Sequence, residues 1–304
     1  MLYNKIEITT RSFTMKIFQI INPKAGHGDA VKAELKKTNA IVYTTKAVGD
    51  ATRYVKECCE NNEGRLRFIV CGGDGTINEV VNGIMEANAQ DRAAFSVMPT
   101  GSGNDFRRAF ENEKGERKID LIKYNGTYAV NMINIGFDCD VAEKTGLYKN
   151  KKLISGSSAY ILGVLNVLSH KLGQDFKITI IDRNDKKHIV YEKCLLCCVG
   201  NLPYCGGGFK ALPLAVSDDG LLDMLIVSKI SRVKFASLVS AYRKGSYIDS
   251  KTEELDPKFK DIVKYFKCKN VTVENTKTIC ADGEIEETDK IEISVYPNAV
   301  TYIN

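Results

Sequence analysis

The apolar and polar positions of residues 16–110 follow two periodicities in turn. Short β-branched or aromatic runs are separated by segments whose apolar residues recur at helical spacing, as at Ile77, Val80, Val81 and Ile84. The pattern predicts strands at 16–22, 40–45, 66–71 and 94–98, and helices at about 28–38, 49–62, 77–88 and 104–110. Strands that alternate with helices predict a largely parallel sheet that helices cover.

The rhythm changes after 119–122, where short strands become dominant. They are predicted at 127–135, 176–182, 188–200, 221–227, 270–274, 278–281 and 290–295, with helical stretches near 140–149, 157–171 and 231–244. Successive short strands favour antiparallel pairing, so this part predicts a mainly antiparallel β domain. We therefore divide the chain into an α/β domain at 15–122 and a β-rich domain at 123–295, and expect 296–304 to return to the first domain or to the linker.

A glycine-rich turn, Gly72-Gly73-Asp74-Gly75-Thr76, follows the predicted strand at 66–71 and precedes the predicted helix at 77–88. Such a turn directs backbone N–H groups and the positive end of a helix dipole at one point, which suits a phosphate group. A carboxylate beside a phosphate repels it unless Mg²⁺ lies between them, so Asp74 indicates a metal-bound nucleotide. An ordinary glycine turn with a capping aspartate is the structural alternative.

Two further loops have the same character. Pro99-Thr-Gly-Ser-Gly-Asn-Asp-Phe106 follows a short apolar run and offers glycines, the hydroxyl of Ser102 and the carboxylate of Asp105. Asn22-Pro-Lys-Ala-Gly-His-Gly28 follows the first predicted strand and opens onto a helical segment. Loops at the carboxyl ends of parallel strands lie along one edge of the sheet, where open α/β folds bind their ligands. Together the three loops indicate a nucleotide site.

Several sequence blocks, in order along the chain, carry a resemblance to a known family. They are Asn22–Gly26, Thr44-Thr45 with Gly49-Asp50-Ala51, Gly72–Thr76 with Asn78-Glu79-Val80, Pro99–Phe106, Asn134–Asp138, Asn201–Asp223 with Gly206-Gly-Gly208, Pro213 and Asp218–Leu221, and Asp282-Gly283-Glu284. With them the sequence resembles the diacylglycerol-kinase-type lipid kinases, in particular the soluble bacterial members. The glycine turn alone is shared with NAD kinases, whereas the ordered set is much more specific. Two positions depart from the family, which often has Ser or Thr where Ala25 stands and usually has Thr where Ser102 stands.

The resemblance implies a phosphofructokinase-like α/β domain followed by a β-sandwich domain, with the active site between them. It implies an ATP- and Mg²⁺-dependent kinase that transfers the γ-phosphate of ATP to a lipid hydroxyl. Diacylglycerol, which would give phosphatidic acid, is the expected acceptor. Phosphatidylglycerol, a sphingoid base or another long-chain alcohol would present the same hydroxyl beside an apolar tail, so the acceptor stays open.

Phosphoryl transfer needs a phosphate cradle, a divalent metal and a base for the acceptor hydroxyl. By resemblance, the expected ATP-binding residues are Asn22, Pro23, Lys24, Ala25, Gly26, Thr45, Gly72, Gly73, Asp74, Gly75, Thr76, Asn78, Glu79, Ser102 and Asp105. Among them, Asp74 is also expected to contact the Mg²⁺ of the nucleotide. Asp282 is the expected general base, and Glu284 orients it or shares its role. Without the family, Asp282-Gly283 predicts only a hairpin turn.

A second metal site is implied by the resemblance alone. It would hold a structural Mg²⁺ through the carboxylate of Asp219 and the backbone carbonyls of Val216 and Leu221. By composition this segment is a plain turn.

Composition restricts the expected partners. No apolar run approaches the ~20 residues of a membrane-spanning helix, so contact with lipid is expected to be peripheral. The net charge of +5 supports a basic face toward anionic headgroups, formed by Lys114, Arg117, Lys118, Lys144, Lys149, Lys151 and Lys152. The chain has no Trp and no basic–aromatic interleaving, which disfavours nucleic acid as a partner. We expect a cytoplasmic protein that contacts anionic membranes, and leave a homodimer open.

The ten cysteines favour neither a metal site nor disulfides. Cys194, Cys197 and Cys198 lie on one predicted strand, where consecutive side chains face opposite ways and do not converge on zinc. Small, reduced and buried cysteines are therefore expected. Residues 1–14 match nothing in the family, and Met15 is the expected natural start.

Two alternative functions are weighed against a lipid kinase. An NAD kinase also has the glycine turn, but the block at 99–106 and the Asp282-Gly-Glu284 turn fit the lipid kinases. A catalytically inactive nucleotide-binding regulator is disfavoured because Asp74, Asp105 and Asp282 are intact. Stabilisation by ATP without turnover on any lipid would favour such a regulator.

Overall fold

The computed structural model describes residues 15–25, 39–100, 103–136 and 173–304. The predicted helices at 28–38, 140–149 and 157–171 lie outside these ranges. The first part of the chain contains β1 (Lys16–Ile21), β2 (Ile41–Thr44), α1 (Asp50–Glu60), β3 (Leu66–Gly72), α2 (Asp74–Glu86), β4 (Ala93–Pro99) and α3 (Asp105–Ala109).

The strands of this first part form the predicted parallel sheet, in the order β2-β1-β3-β4. Apolar side chains such as Ile20, Phe68 and Phe95 are fully or almost fully buried and share one core with apolar residues of α1 and α2. Consecutive parallel strands place their carboxyl ends at one edge. The loops that follow β1, β3 and β4 therefore start from the same edge of the sheet.

The remaining elements are almost entirely strands. They are β5 (Glu116–Tyr124), β6 (Thr127–Ala129), β7 (Met132–Gly136), β8 (Gln174–Asp182), β9 (Lys187–Gly200), β10 (Leu222–Ser228), α4 (Arg232–Lys244), β11 (Val263–Glu274), β12 (Thr278–Ala281), β13 (Glu284–Glu287) and β14 (Lys290–Ile303). They pair antiparallel in the order β13-β12-β7-β9-β10-β11-β14, and β8 also pairs with β9 and β11. The predicted mainly antiparallel second part is confirmed.

The strand β14 belongs to both parts of the molecule. Its first residues pair with β11, whereas Thr301 and Tyr302 lie parallel to Ala94 and Phe95 of β4. Tyr302 packs in an aromatic cluster with Phe95, Phe106 and Phe110, at centroid distances of 4.8–5.2 Å. The parallel sheet thus gains a further strand from the distant end of the sequence.

The observed strands differ from the predicted ones at several places, and β11, predicted at 270–274, already begins at Val263. The predicted strand at 127–135 is interrupted at Val130 and Asn131, whose backbone N–H groups bond to a side chain instead of a neighbouring strand. The predicted strand at 290–295 continues to Ile303. A bulge interrupts its pairing at Pro297 and Asn298, because Pro lacks an N–H and Asn298 has a positive φ of 50°. Within the described residues, no helix is long and apolar enough to cross a membrane.

Candidate active site

The glycine turn connects β3 directly to α2, which begins at Asp74 instead of the predicted Ile77. A Cβ added to Gly72 would lie 2.5 Å from Oγ1 of Thr76, so this position accepts only glycine without a rearrangement. The Thr76 hydroxyl is buried and accepts a hydrogen bond from Nδ2 of Asn22 at 3.0 Å. Asn22 and Thr76, both expected to bind ATP, therefore connect two loops of the site to each other.

The loop after β1 lies beside the glycine turn. Asn22 donates its backbone N–H to the carbonyl of Cys71 at 2.9 Å, and its side-chain oxygen accepts the amide of Lys24 at 3.0 Å. Thr45 donates both its amide and its hydroxyl to the carbonyl of Ile21. Pro23 and Ala25 complete the described part of this loop, and Gly26 lies outside the described residues.

The N-terminus of α2 presents free backbone donors. The first amides of a helix have no acceptor within the helix, and those of Asp74 and Gly75 find none elsewhere in the part of the chain that the structure describes. The helix dipole adds partial positive charge at the same point. Gly73 and Gly75 carry no side chain that would separate these amides from an anion. This end of α2 suits a phosphate group.

Asp74 links the glycine turn to α3. Its carboxylate accepts the backbone amides of Asp105 at 3.3 Å and of Phe106 at 3.1 Å. From the described residues each oxygen accepts one such bond, which leaves lone pairs for a cation. Ser102, predicted in the same loop, lies outside the described residues.

Asp105 joins the two parts of the molecule. One of its carboxylate oxygens accepts the amide of Gly207 at 2.7 Å, and the other pairs with Arg108 at 2.8 Å. Arg108 also lies over the ring of Tyr204, 5.7 Å from its centroid. Burial raises the pKa of Asp105, and the nearby charge of Asp74 adds to the rise while Gly207 and Arg108 oppose it. The Asp105 carboxylate is buried and both of its oxygens have partners, so in this structure it connects two loops and does not lie open to a ligand.

Asp282 lies in a two-residue turn between β12 and β13, with φ of 49° at Asp282 and 97° at Gly283. The hairpin predicted from these residues alone is present. The Asp282 carboxylate accepts four hydrogen bonds, of 2.6–3.0 Å, whose donors are the amides of Val130, Asn131 and Met132 and the side chain of Asn78. Burial raises the pKa of Asp282, and these donors oppose the rise.

Glu284, two residues further on, has a different environment. It is exposed, and within the described residues its carboxylate accepts no hydrogen bond. A Cβ built on Gly75 would lie 3.8 Å from Oε1 of Glu284. The hairpin thus places one engaged carboxylate against the backbone of 130–132 and one free carboxylate beside the N-terminus of α2.

Asn78 and Glu79, also expected to bind ATP, have other partners in the structure. Asn78 donates to Asp282 and to the carbonyl of Tyr128, at 2.9 and 3.0 Å. The Glu79 carboxylate accepts the amide of Ala51 at 3.0 Å, at the start of α1. Both side chains position elements around the site.

The segment expected to hold a structural Mg²⁺ contains a cation of its own. Nζ of Lys267 lies 3.0 Å from Oδ2 of Asp219, whose Oδ1 accepts the amide of Leu221 at 3.0 Å. Among the described residues, no group of three or more His, Cys, Asp or Glu side chains converges to hold a metal ion. Asp219 therefore differs from the open ligand that the resemblance implies.

Part of the predicted basic face is occupied by acidic neighbours. Lys118 pairs with Asp91 at 3.1 Å, and Arg117 pairs with Glu113. Four further members, Lys144, Lys149, Lys151 and Lys152, lie outside the described residues.

Sequence reasoning did not single out Arg108, Tyr204 and Lys267. Arg108 is one of several charged residues after the Asp105 block, and Lys267 stands in an ordinary strand pattern. Their partners lie 3 to 96 residues away in sequence, so no local motif marks them. The glycines at 206–208 were the sequence feature that could have indicated this contact. Gly207 and Gly208 both have positive φ; the amide of Gly207 bonds to Asp105, and Gly208 lies close to Arg108.

Comparison with known proteins agrees with this architecture. Residues 16–135 match the family described as diacylglycerol kinase catalytic domain, and residues 131–304 match the YegS C-terminal NAD kinase beta sandwich-like domain. The second match alone covers more than half of the chain. The protein thus belongs to the lipid kinase family of the diacylglycerol kinase type, in which these two domains follow one another.

Individual relatives extend over most of the chain. A protein of Enterobacter sp. (strain 638) named probable lipid kinase YegS-like is 25% identical over 301 residues, which cover 92% of this chain and 93% of that protein. A diacylglycerol kinase of Staphylococcus saprophyticus is 28% identical over 229 residues, or 71% and 72% of the two chains. The crystal structure of a diacylglycerol kinase from Bacillus anthracis has the same fold, with a TM-score of 0.64, 23% identity and coverage of 95% and 96%.

Proposed function

We propose that this lipid kinase transfers the γ-phosphate of Mg²⁺-bound ATP to the hydroxyl of a membrane lipid. The observation that carries the proposal is the position of Glu284 beside Gly75, at the phosphate-suited N-terminus of α2, with a carboxylate that accepts no hydrogen bond from the described residues. A base and a phosphate cradle must lie this close together for a hydroxyl to attack a bound phosphate.

The free amides of Asp74 and Gly75 and the dipole of α2 bind the phosphates of ATP. Asp74 is the residue that would hold Mg²⁺, because each of its two oxygens accepts one amide hydrogen bond from the part of the chain that the structure describes, which leaves lone pairs for a cation. When bound, Mg²⁺ would neutralise charge on the phosphates. Asn22 and Thr76 keep the two phosphate-facing loops at a fixed separation.

Glu284 is the proton acceptor in this proposal, and Asp282 is its positioning residue. A carboxylate that already accepts four hydrogen bonds has little capacity left for the proton of a substrate hydroxyl. Asp282 instead fixes the hairpin to the backbone at 130–132. The first expectation, that Asp282 is the base, is therefore replaced by a proposal for its neighbour.

Diacylglycerol is the acceptor that we propose, with phosphatidic acid as the product. Support comes from relatives that carry the name diacylglycerol kinase. An assay with labelled ATP and a panel of diacylglycerol, phosphatidylglycerol, sphingoid bases and NAD distinguishes the alternatives. Transfer to diacylglycerol above the others supports the proposal, and transfer to NAD alone contradicts it. Stabilisation by ATP without transfer to any acceptor would indicate a nucleotide-binding regulator.

Contact with anionic membranes is the proposed route to the acceptor. A net charge of +5 favours such contact, and each basic residue near an anionic surface contributes about 1 kcal/mol. Co-sedimentation with vesicles should rise with their anionic fraction and fall with added salt. Binding that is indifferent to both would contradict an electrostatic contact.

A further inference from the structure

The side chain of Lys267, on β11, is only 10% exposed and is surrounded by oxygen atoms. Its Nζ lies 3.0 Å from the carbonyl of Leu214, 3.0 Å from Oδ2 of Asp219 and 3.2 Å from Oδ2 of Asp223. An ammonium group has three hydrogens and no acceptor. These three oxygens therefore use its full donor capacity.

The other oxygens of the two carboxylates also have donors. Oδ1 of Asp219 accepts the amide of Leu221 at 3.0 Å, and Oδ1 of Asp223 accepts the hydroxyl of Tyr265 at 2.7 Å. The segment 214–223 is thus closed around Lys267 by hydrogen bonds to both carboxylates.

This arrangement does not fit the structural Mg²⁺ that the resemblance implies. Mg²⁺ needs oxygen ligands at about 2.0–2.1 Å in near-octahedral geometry. At Asp219 it would share a carboxylate with an ammonium group that is already 3.0 Å from the same side chain. Two cations on one carboxylate repel each other.

We propose that Lys267 is the resident cation of this turn and replaces a structural divalent metal. The turn then keeps its conformation without Mg²⁺. If the proposed kinase function holds, on which this consequence rests, the reaction needs only the Mg²⁺ that accompanies the nucleotide.

The turn matters because it meets both parts of the molecule. Asp120 on β5 accepts the amide of Gly220 from the turn and the amide of Asn298 from the bulge of β14, each at 2.7 Å. Loss of the ammonium group would leave Asp219 and Asp223 without their cation and loosen this junction.

The test uses the full chain without nucleotide. Thermal unfolding is measured in EDTA and in Mg²⁺ for the wild type, for Lys267→Met and for Lys269→Met. Lys269 is the matched control, because it lies on the same strand but forms a surface ion pair with Asp185 at 2.8 Å and is 37% exposed. Binding of Mn²⁺, as a probe for Mg²⁺, is followed by electron paramagnetic resonance.

We expect the wild type and Lys269→Met to unfold at the same temperature in EDTA and in Mg²⁺, and to bind no Mn²⁺ tightly. Lys267→Met should unfold about 5–10 °C lower in EDTA, because the buried carboxylate of Asp223 and the partly exposed carboxylate of Asp219 lose their cation, and Mg²⁺ should restore part of the loss. These readouts use neither ATP nor lipid, so they stand apart from any failure of the proposed kinase function.

Two results would overturn the proposal. One is a wild type that EDTA destabilises and that binds Mn²⁺ without nucleotide, with both effects lost in Asp219→Asn. The other is a Lys267→Met variant as stable as Lys269→Met. If Lys267→Met does not fold, the wild type and Asp219→Asn decide the question alone.

Discussion

The carboxylate of Asp105 accepts the amide hydrogen of Gly207 at 2.7 Å, and this bond ties α3 to a loop of the β-sandwich. The same carboxylate holds Arg108, which packs against the neighbouring Gly208. The loop that carries Asp105 is also capped by Asp74. A continuous set of bonds therefore runs from the phosphate-suited turn to the second part of the molecule.

Gly208→Ala should disturb this connection more than Gly207→Ala. Both residues have positive φ, of 108° and 80°, so either alanine costs about 1–2 kcal/mol of backbone strain. Only at Gly208 would the new Cβ meet Arg108, at 2.7 Å from Nη1, whereas Gly207 has open space. Thermal unfolding and lipid phosphorylation measure the difference. When Arg108→Ala is added, Gly208→Ala should have no larger effect than Gly207→Ala. If it still has the larger effect, contact with Arg108 is not the cause.

Glu284→Gln and Asp282→Asn should separate chemistry from structure. Glu284→Gln is expected to keep its stability within about 0.5 kcal/mol and its ATP affinity, while losing roughly 10²–10⁴ in turnover. Asp282→Asn replaces one carboxylate oxygen with an NH₂ group, so that a donor faces the donating backbone amides. This should lower the free energy of unfolding by about 1–3 kcal/mol. Urea unfolding and turnover on the same preparations provide the comparison. Near-normal turnover of Glu284→Gln would return the role of base to Asp282.

Gly72→Ala and Gly75→Ala form a pair within one turn. A methyl group at Gly72 would lie 2.5 Å from Thr76, so we expect a loss of about 1–3 kcal/mol in stability. At Gly75 the nearest atom is Oε1 of Glu284 at 3.8 Å, so the fold tolerates the methyl group. There it would stand between the helix N-terminus and Glu284. We expect turnover to fall at least about tenfold, which corresponds to an increase of roughly 1.4 kcal/mol in the activation free energy. The unfolding temperature should not change.

Asp74→Asn and Glu79→Gln should behave differently, although both residues match the same family block. Asp74→Asn removes the charge that would hold the metal of the nucleotide, so KM for Mg²⁺-ATP should rise. Glu79 bonds to the amide of Ala51 at the start of α1, so Glu79→Gln should lower stability by about 1 kcal/mol and leave this KM unchanged. Initial-rate kinetics at varied Mg²⁺-ATP measure both. An equal rise in KM would place Glu79 at the nucleotide.

The first turn of α1 should carry a pH-dependent contribution. A hydrogen bond from Arg53, with others from Lys46 and Tyr43, lowers the pKa of Asp50 below 3.8. A lowered pKa means that the stabilisation is complete above about pH 4 and is lost as the pH falls through the folded value. The difference in unfolding temperature between wild type and Asp50→Asn should therefore be constant from about pH 5 to 8 and shrink in acid. A difference that grows on acidification would contradict this assignment.

The sequence predicts local elements well and their distant partners poorly. Each strand–turn–helix unit of the parallel sheet is encoded by neighbours, so β1 to β4 lie within a few residues of their predicted positions. Asn78 shows the limit, because its partner Asp282 is 204 positions away and no periodicity connects them. The strand β13 (Glu284–Glu287) was not predicted, since three of its four residues are glutamates and carry no apolar alternation. Long-range pairs decide which carboxylate of the hairpin is engaged and which is free.

The pairing of β14 with β4 affects how this protein is made on the ribosome. Strand β4 emerges about two hundred residues before Thr301 and Tyr302, which later cover its edge. During that interval a nascent chain presents an unpaired strand edge, which is a template for association with other chains. The α/β part of the molecule is therefore prone to association while the sandwich is being synthesised, and slower translation of the β-rich region should increase co-aggregation of nascent chains.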